Sequence, residues 1–223
     1  MIRAALVFVL VSCVSVASAR AQEPPPRIPL FVVDVQGNVA RFPQDPLLAS
    51  SRGIEIIQLP GTGFGGQLGL HLHFFKVKAV TFGLGGQVTL ARATESAPVD
   101  VNGQPLAPTT ERFRSVGMQL SLNFGNGNGW SYLSGGIGRS NWSIIPEFRA
   151  DNPTVPAEPL EGDDEVLKTI NYGGGARWFA KSHLAFSFDV RFYAINPGVS
   201  SLPGKNGSPR TTFMVIGAGI SLK

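Results

Sequence analysis

Residues 183–195 read HLAFSFDVRFYAI, and the alternation in this stretch decides the fold. Successive side chains of a strand point to opposite faces, so Leu184, Phe186, Phe188, Val190, Phe192 and Ala194 share one face. His183, Ala185, Ser187, Asp189, Arg191 and Tyr193 share the other. The split recurs at 111–124, where Val116, Met118, Leu120, Leu122 and Phe124 oppose Ser115, Gly117, Gln119, Ser121 and Asn123. At 64–75, Leu68, Leu70, Leu72 and Phe74 oppose Gln67, Gly69, His71, His73 and Phe75. At 79–92, Val80, Phe82, Leu84, Val88 and Leu90 oppose Thr81, Gly83, Gly85, Gln87 and Thr89. At 30–41, Phe31, Val33, Val35 and Val39 oppose Asp34, Gln36 and Asn38. Five strands thus have one large-apolar face and one small or polar face.

Which face looks inward sets the class. A soluble barrel or sandwich turns its bulky face in and its polar face to water. Water-facing surfaces are rich in Lys and Glu, yet here the polar face is Gly, Ser, Thr, Gln and Asn. Such residues fit the narrow lumen of an eight-stranded barrel, so the apolar face is read as facing lipid. The stretch 130–143 divides less cleanly. Trp130, Tyr132 and Trp142 share a face with Ser134, Gly136 and Gly138, while Leu133 and Ile137 share one with Arg139. The aromatic face is read as outward, with its rings in interfacial girdles.

With 166–179 and 210–222 the strands number eight. Long polar connections at 42–63, 93–110, 144–165 and 196–209 alternate with short ones at 76–78, 125–129 and 180–182. Long loops outside and short turns on the periplasmic side are the pattern of an outer-membrane barrel. No strand edge survives unpaired in hydrocarbon, so the first strand must pair with the last. The predicted fold is all-β: an eight-stranded antiparallel up-and-down transmembrane β-barrel over 30–223, with both termini periplasmic.

Composition agrees. Charged residues are 15% of the chain and 27 residues are glycine, a low charge for a soluble domain. Residues 1–21 read as a cleaved signal peptide: Arg3, an apolar run from Ala4 to Val16, and a small-x-small site at Ala19 and Ala21. An alternative is lipidation of Cys13 within Leu10-Val11-Ser12-Cys13. Cleavage after Ala21 removes the single cysteine, and with Arg3 and Arg20 gone the net charge falls from +4 to +2. That balance excludes disulfides and a basic nucleic-acid face, so no nucleic-acid partner is expected. Residues 22–29, with Pro24, Pro25 and Pro26, form a stiff periplasmic lead-in.

The mature chain resembles the small eight-stranded outer-membrane barrels, the family of the OmpA transmembrane domain, OmpX and OmpW. Its last strand is similar to their C-terminal assembly signal, keeping the spacing at Gly217, Ile220 and Leu222, with aliphatics in place of aromatics and Lys223 appended. The resemblance implies recognition by the barrel-assembly machinery, outer-membrane lipid and lipopolysaccharide as surroundings, and a monomer.

Charges buried in the lumen must be paired. A network of Asp34, Arg177, Asp189 and Arg191 is therefore expected, with Gln36, Gln67, Gln87 and Gln119 completing its hydrogen bonds and plugging the barrel. A conducting pore is the alternative. His71 and His73 could chelate a metal with Asp34 or Asp189, but no local spacing fixes a third ligand, so no metal or cofactor is assigned. Gly61, Gly63 and Gly66 match a dinucleotide-binding spacing without the strand and helix that motif needs. The run Glu161-Gly162-Asp163-Asp164-Glu165 lacks calcium-loop spacing and is read as a solvated loop. Arg92, Arg112, Arg114, Arg139 and Lys168 lie near the loop ends of their strands, where they are candidate contacts for lipopolysaccharide phosphates. No catalytic pair is evident, so the expected role is non-enzymatic: structural, or surface interaction through the long loops. A narrow channel, an outer-membrane lipid-modifying enzyme and a soluble lipocalin-like barrel are the alternatives.

Overall fold

A computed structural model describes residues 26–96, 98–146, 165–199 and 207–223. Residues 1–25, which hold the expected signal peptide with Cys13, Ala19 and Ala21 and also Pro24 and Pro25, lie outside the described residues, as do the loop residues 147–164 and Asn206. Eight strands follow in order: β1 Phe31–Arg41, β2 Thr62–Val77, β3 Val80–Glu95, β4 Thr109–Asn126, β5 Gly129–Pro146, β6 Glu165–Phe179, β7 Leu184–Ile195 and β8 Thr211–Leu222. Each pairs antiparallel with its neighbours, and β1 pairs with β8, so the sheet closes and has no edge.

Register partners followed around the wall from Asp34 pass Gly69, Gln87, Gly117, Gly138, Thr169, Ile195 and Thr211. Extending the Arg41–Met214 register by three residues sets Thr211 opposite position 44, so the wall closes ten residues from where it began (44 against 34). This stagger tilts the strands and fixes a narrow lumen.

The strands outrun the sequence prediction mainly at their long-loop ends: β3 continues to Glu95, β4 starts at Thr109 and β5 reaches Pro146. Outward residues there are polar, so alternation fades in the sequence while the ladder of backbone pairs persists. Burial alternates through the middle of β1, β2, β3, β4, β5, β7 and β8 as the parity argument requires, while at the long-loop ends Thr109, Thr110 and Glu111 of β4 and Trp142, Ser143 and Ile144 of β5 are all buried. Two assignments are corrected.

In β2 the register jumps from His73–Gly83 to Phe75–Phe82, leaving Phe74 unopposed. That bulge turns Phe75 outward, against its assignment to the lumen, and both phenylalanines are exposed. In β5 the aromatic face is the lumen face: Trp130, Tyr132 and Trp142 are buried, whereas Leu133 and Ile137 are exposed. Inside, the Tyr132 hydroxyl and the Trp142 indole find acceptors in Asp189 and Glu111, and the Trp130 ring lies 5.7 Å from the Arg177 guanidinium.

The first long connection is not irregular throughout. It folds a helix, α1 (Pro46–Arg52), and a 3₁₀ turn at Ile56–Gln58. The Asp45 carboxylate accepts from the Leu47 and Leu48 amides (2.7 and 3.4 Å), Pro46 opens the helix, and Gly53 ends it at φ 68°. Leu48 and Ala49 of α1 and Leu59 are buried over the long-loop mouth, against Phe42, Phe113, Trp142 and Phe213.

Candidate functional site

Three storeys fill the lumen. At the short-turn end Val32, Trp130 and Tyr132 cluster with Ile28 and Phe179. The lead-in crosses beneath them: the Gly127 amide donates to the Pro26 carbonyl (2.6 Å), the His73 amide to Leu30 (2.7 Å), and His73 Nδ1 to Pro29 (2.9 Å). Lys223 latches the same end, its Nζ donating to the Gly127 carbonyl (2.5 Å) and standing 3.9 Å from the Phe179 ring centre.

The middle storey is polar. Arg177 makes a fork to Asp34, with Nε donating to Oδ1 at 2.9 Å and Nη2 to Oδ2. His71 Nε2 lies 3.0 Å from Asp34 Oδ2, and the Ser221 hydroxyl donates to Asp34 Oδ1. Arg191 forks to Asp189 at 3.1 Å on both oxygens and also donates to Asn171 Oδ1 (3.0 Å) and Ser134 Oγ (2.9 Å). Tyr132 joins the halves, donating to Asp189 Oδ2 (2.7 Å) while Arg177 sits 4.3 Å above its ring. Two aspartates thus balance two arginines.

The four glutamines form one relay: Gln119 donates to Gln87 (3.3 Å), Gln87 to Gln67 (3.1 Å), Gln67 to Gln36, and Gln36 to Ser187 (2.8 Å). The relay explains Gly217, where a Cβ would collide with Gln67 Nε2 and stand 2.7 Å from Gln36 Oε1. Ile220 and Leu222 lie on the outer face of β8. Between these groups a cavity of about 10 Å³ remains, the threshold for one water.

The upper storey is apolar and aromatic, closed by α1. Its one deep carboxylate, Glu111, accepts from Trp142 Nε1 at 2.7 Å. Arg52, buried on α1, lies near enough for its charge to act on Glu111 and donates to Ser208 Oγ at 2.5 Å.

His71 and His73 therefore serve separate partners, and among the described residues no three His, Cys, Asp or Glu side chains converge on one point. His183 is exposed, its Nδ1 3.1 Å from the Lys223 carbonyl. Gly61, Gly63 and Gly66 lie at the entry of β2, with no helix following. Sequence reasoning reversed the faces of Tyr132 and Trp142, put Ser187 and Tyr193 on the lumen face without a role in the network, and left out Glu111, Asn171 and Ser221, which parity alone would have placed inside.

The outer wall also differs between its ends. Exposed Phe31, Phe74, Phe75, Phe82, Phe124, Trp178 and Phe186 ring the short-turn end. Arg92, Arg112, Arg114, Arg139 and Lys168 are exposed on the outer face toward the long loops. Exposed Arg41, at the end of β1, and Arg210, just before β8, extend this basic belt. Sequence reasoning overlooked both, although Arg41 shares the outward parity of Val39. Within the belt Arg92 is the register partner of Arg112, and Arg139 of Lys168.

No family model matches the chain, and no curated protein matches it. Among solved structures, the chain is similar to Neisserial surface protein A at 11% identity, covering 87% of this chain and 97% of that one with a TM-score of 0.49. It is similar to Ail, the attachment invasion locus protein of Yersinia pestis, at 15% identity, 86% and 97% coverage and a TM-score of 0.45. The N-terminal β-barrel domain of Pseudomonas aeruginosa OprF gives 11%, 86% and 96%, with a TM-score of 0.40.

Proposed function

We propose that this chain is an integral outer-membrane barrel with a sealed lumen, non-enzymatic, whose role is carried by the surface at its long-loop end. One observation carries the reading: the closed wall is inverted. Met118, Leu120 and Ile137 are 62, 65 and 73% exposed midway along their strands, while Asp34, Asp189, Arg177 and Arg191 are buried inside. Water outside would leave that belt as one very large apolar patch, whereas lipid makes it the natural exterior. The aromatic ring at one end and the basic belt at the other suit the two interfaces of a bilayer, the basic end meeting lipopolysaccharide phosphates. A signal peptide cleaved after Ala21 and C-terminal recognition through Gly217, Ile220 and Leu222 fit the same route.

The filled lumen weighs against a channel, and the Asp34–His71 contact within it offers a substrate no path. The long loops instead present apolar side chains to solvent. Leu47, Ile56 and Ile57 stand on the first loop, and Val101 is 98% exposed at the tip of a turn held by the Val99–Pro105 bridge. Such groups on a rigid scaffold are the common form of an adhesive or partner-binding surface.

The test is fractionation followed by gels of unheated and heated sample. Recovery in the outer membrane with heat-modifiable migration is the expected outcome. Recovery as a soluble periplasmic protein would overturn the proposal.

A further inference from the structure

The outer wall carries a feature that its sealed interior does not explain. Arg139 and Lys168 are direct register partners on the outward face, and both are exposed. Like charges directly opposite weaken a strand pair. A neighbouring carboxylate normally offsets this, but among the described residues none pairs with either cation. Asp34, Asp189 and Glu111 all point into the lumen. Among the described residues this pair has no anionic complement, and charge complementarity favours an anion beside it.

The wall beside the pair is not smoothly convex. A groove of about 1080 Å³ runs obliquely along the outside of the barrel and ends at Arg139, Lys168 and Asn196. Val88, Val116, Met118, Ile137 and Ile170 line it, and Gly86 deepens it by presenting no side chain, an added Cβ there meeting nothing closer than 3.9 Å. Arg139 stands ten residues along β5 from Gly129, which at strand rise and barrel tilt lifts it about 25 Å, the height of the apolar band. The cations thus sit at headgroup level, with an apolar channel leading away from them into the hydrocarbon zone.

We propose that this groove binds one phosphorylated membrane lipid. Its phosphate bridges the Arg139 guanidinium and the Lys168 ammonium, and an acyl chain lies along Val88, Val116, Met118, Ile137 and Ile170. The proposal rests on the membrane-barrel reading and adds a defined site to it. Arginine supplies the planar fork for phosphate oxygens and lysine the mobile point charge. A second groove, of about 480 Å³ near the short turns and lined by Phe74, Phe75 and Leu120, has no cation in its lining and serves as the internal control.

The test is native mass spectrometry of the full chain refolded in detergent, offered equimolar phosphatidic acid and phosphatidylcholine with identical chains. The wild type should retain one phosphatidic acid in preference to phosphatidylcholine. Arg139→Gln with Lys168→Gln should reduce that preference about tenfold or more, as loss of charge-assisted contacts implies. Arg139→Lys with Lys168→Arg should keep most of it. Gly86→Leu, which fills the groove and leaves both cations, should weaken retention of phosphatidic acid, and inorganic phosphate should not displace the bound lipid. Displacement by inorganic phosphate, with Gly86→Leu silent, would reduce the site to a free-phosphate contact and overturn the proposal. So would an equal loss from Arg92→Gln with Arg112→Gln, since that identifies a diffuse basic belt. Heat-modifiable migration of every variant separates loss of the site from loss of the barrel, and its absence in the wild type strikes the membrane reading instead.

Discussion

The middle and upper storeys of the lumen fill the same narrow tube with opposite chemistry. Every charged member of the middle storey comes from the wall itself: Asp34 from β1, Arg177 from β6, Asp189 and Arg191 from β7. The upper storey is apolar, and part of it, Leu48 and Ala49, is delivered by a loop. A charge network built from wall strands forms only when the barrel closes in the right register, because β1 and β6 are not neighbours. An apolar plug carried on a connection makes no such demand. The middle therefore specifies the barrel, and the top seals it.

The largest effect should come from the middle. Arg177→Ala leaves the Asp34 carboxylate buried without its fork, a loss of about 3–5 kcal/mol for a broken buried pair. Urea unfolding of vesicle-inserted protein measures it, and Asp34→Asn in the same chain should recover part of the loss. In planar bilayers the wild type should pass no steady current, while Arg177→Ala should flicker open. A large, stable wild-type conductance unchanged by the substitution would sink the sealed lumen.

This contrast also explains what the sequence disclosed. Parity is a local property, so the lumen positions of Asp34, Gln67, His71 and Arg191 were legible from alternation alone. The need for charge pairing also named the set Asp34, Arg177, Asp189 and Arg191, but not which acid meets which arginine, because the Asp34–Arg177 contact joins residues 143 positions apart through barrel closure. The reversal of β5 has a specific cause. Tryptophan and tyrosine suit an interfacial girdle as well as a lumen that supplies a carboxylate or a guanidinium, and composition cannot separate the two. Phe75 was lost to a bulge, which leaves no mark in a run of apolar residues. The helix in the first connection was legible and overlooked: Asp45-Pro46 at its start and Arg52-Gly53 at its end are ordinary stop and start signals.

A smaller effect should come from the upper storey. Trp142→Phe keeps most of the ring but removes the indole donor from buried Glu111, which should cost about 1–3 kcal/mol. Adding Glu111→Leu should restore only part of that, since it removes the carboxylate left without its donor but also takes the acidic neighbour from buried Arg52. If Trp142→Phe equals Arg177→Ala in its effect, the two storeys do not divide specification from sealing.

Weaker again is the cap of α1. Asp45→Ala removes the acceptor for the Leu47 and Leu48 amides and should cost about 1 kcal/mol, confined to the helix. Hydrogen exchange should quicken at 46–52 while amides beside Asp34 and Asp189 stay protected. Faster exchange in both places would mean that the plug and the network are one cooperative unit.

The smallest effect lies outside the lumen and asks whether the loops are independent of it. The Gln104 amide, and after it the Asn102 amide, donate to the Asp100 carboxylate (2.7 and 2.8 Å) and hold its carboxyl below the ordinary carboxylate range. A carboxyl whose folded pKa is depressed contributes its stabilisation above the unfolded value and loses it as pH falls through the folded one. The turn that presents Val101 should therefore stay ordered at neutral and mildly acidic pH and loosen only below the usual carboxylate range. Amide shifts of Asn102 and Gln104 followed by NMR in detergent should titrate there, and Asp100→Asn should loosen the turn at every pH. Titration of those amides at or above a pKa of about 3.9 would mean the carboxylate is not holding the turn. Over the interval in which the turn loosens, heat-modifiable migration should persist, because the Asp100 turn shares no contact with the charged network that closes the barrel.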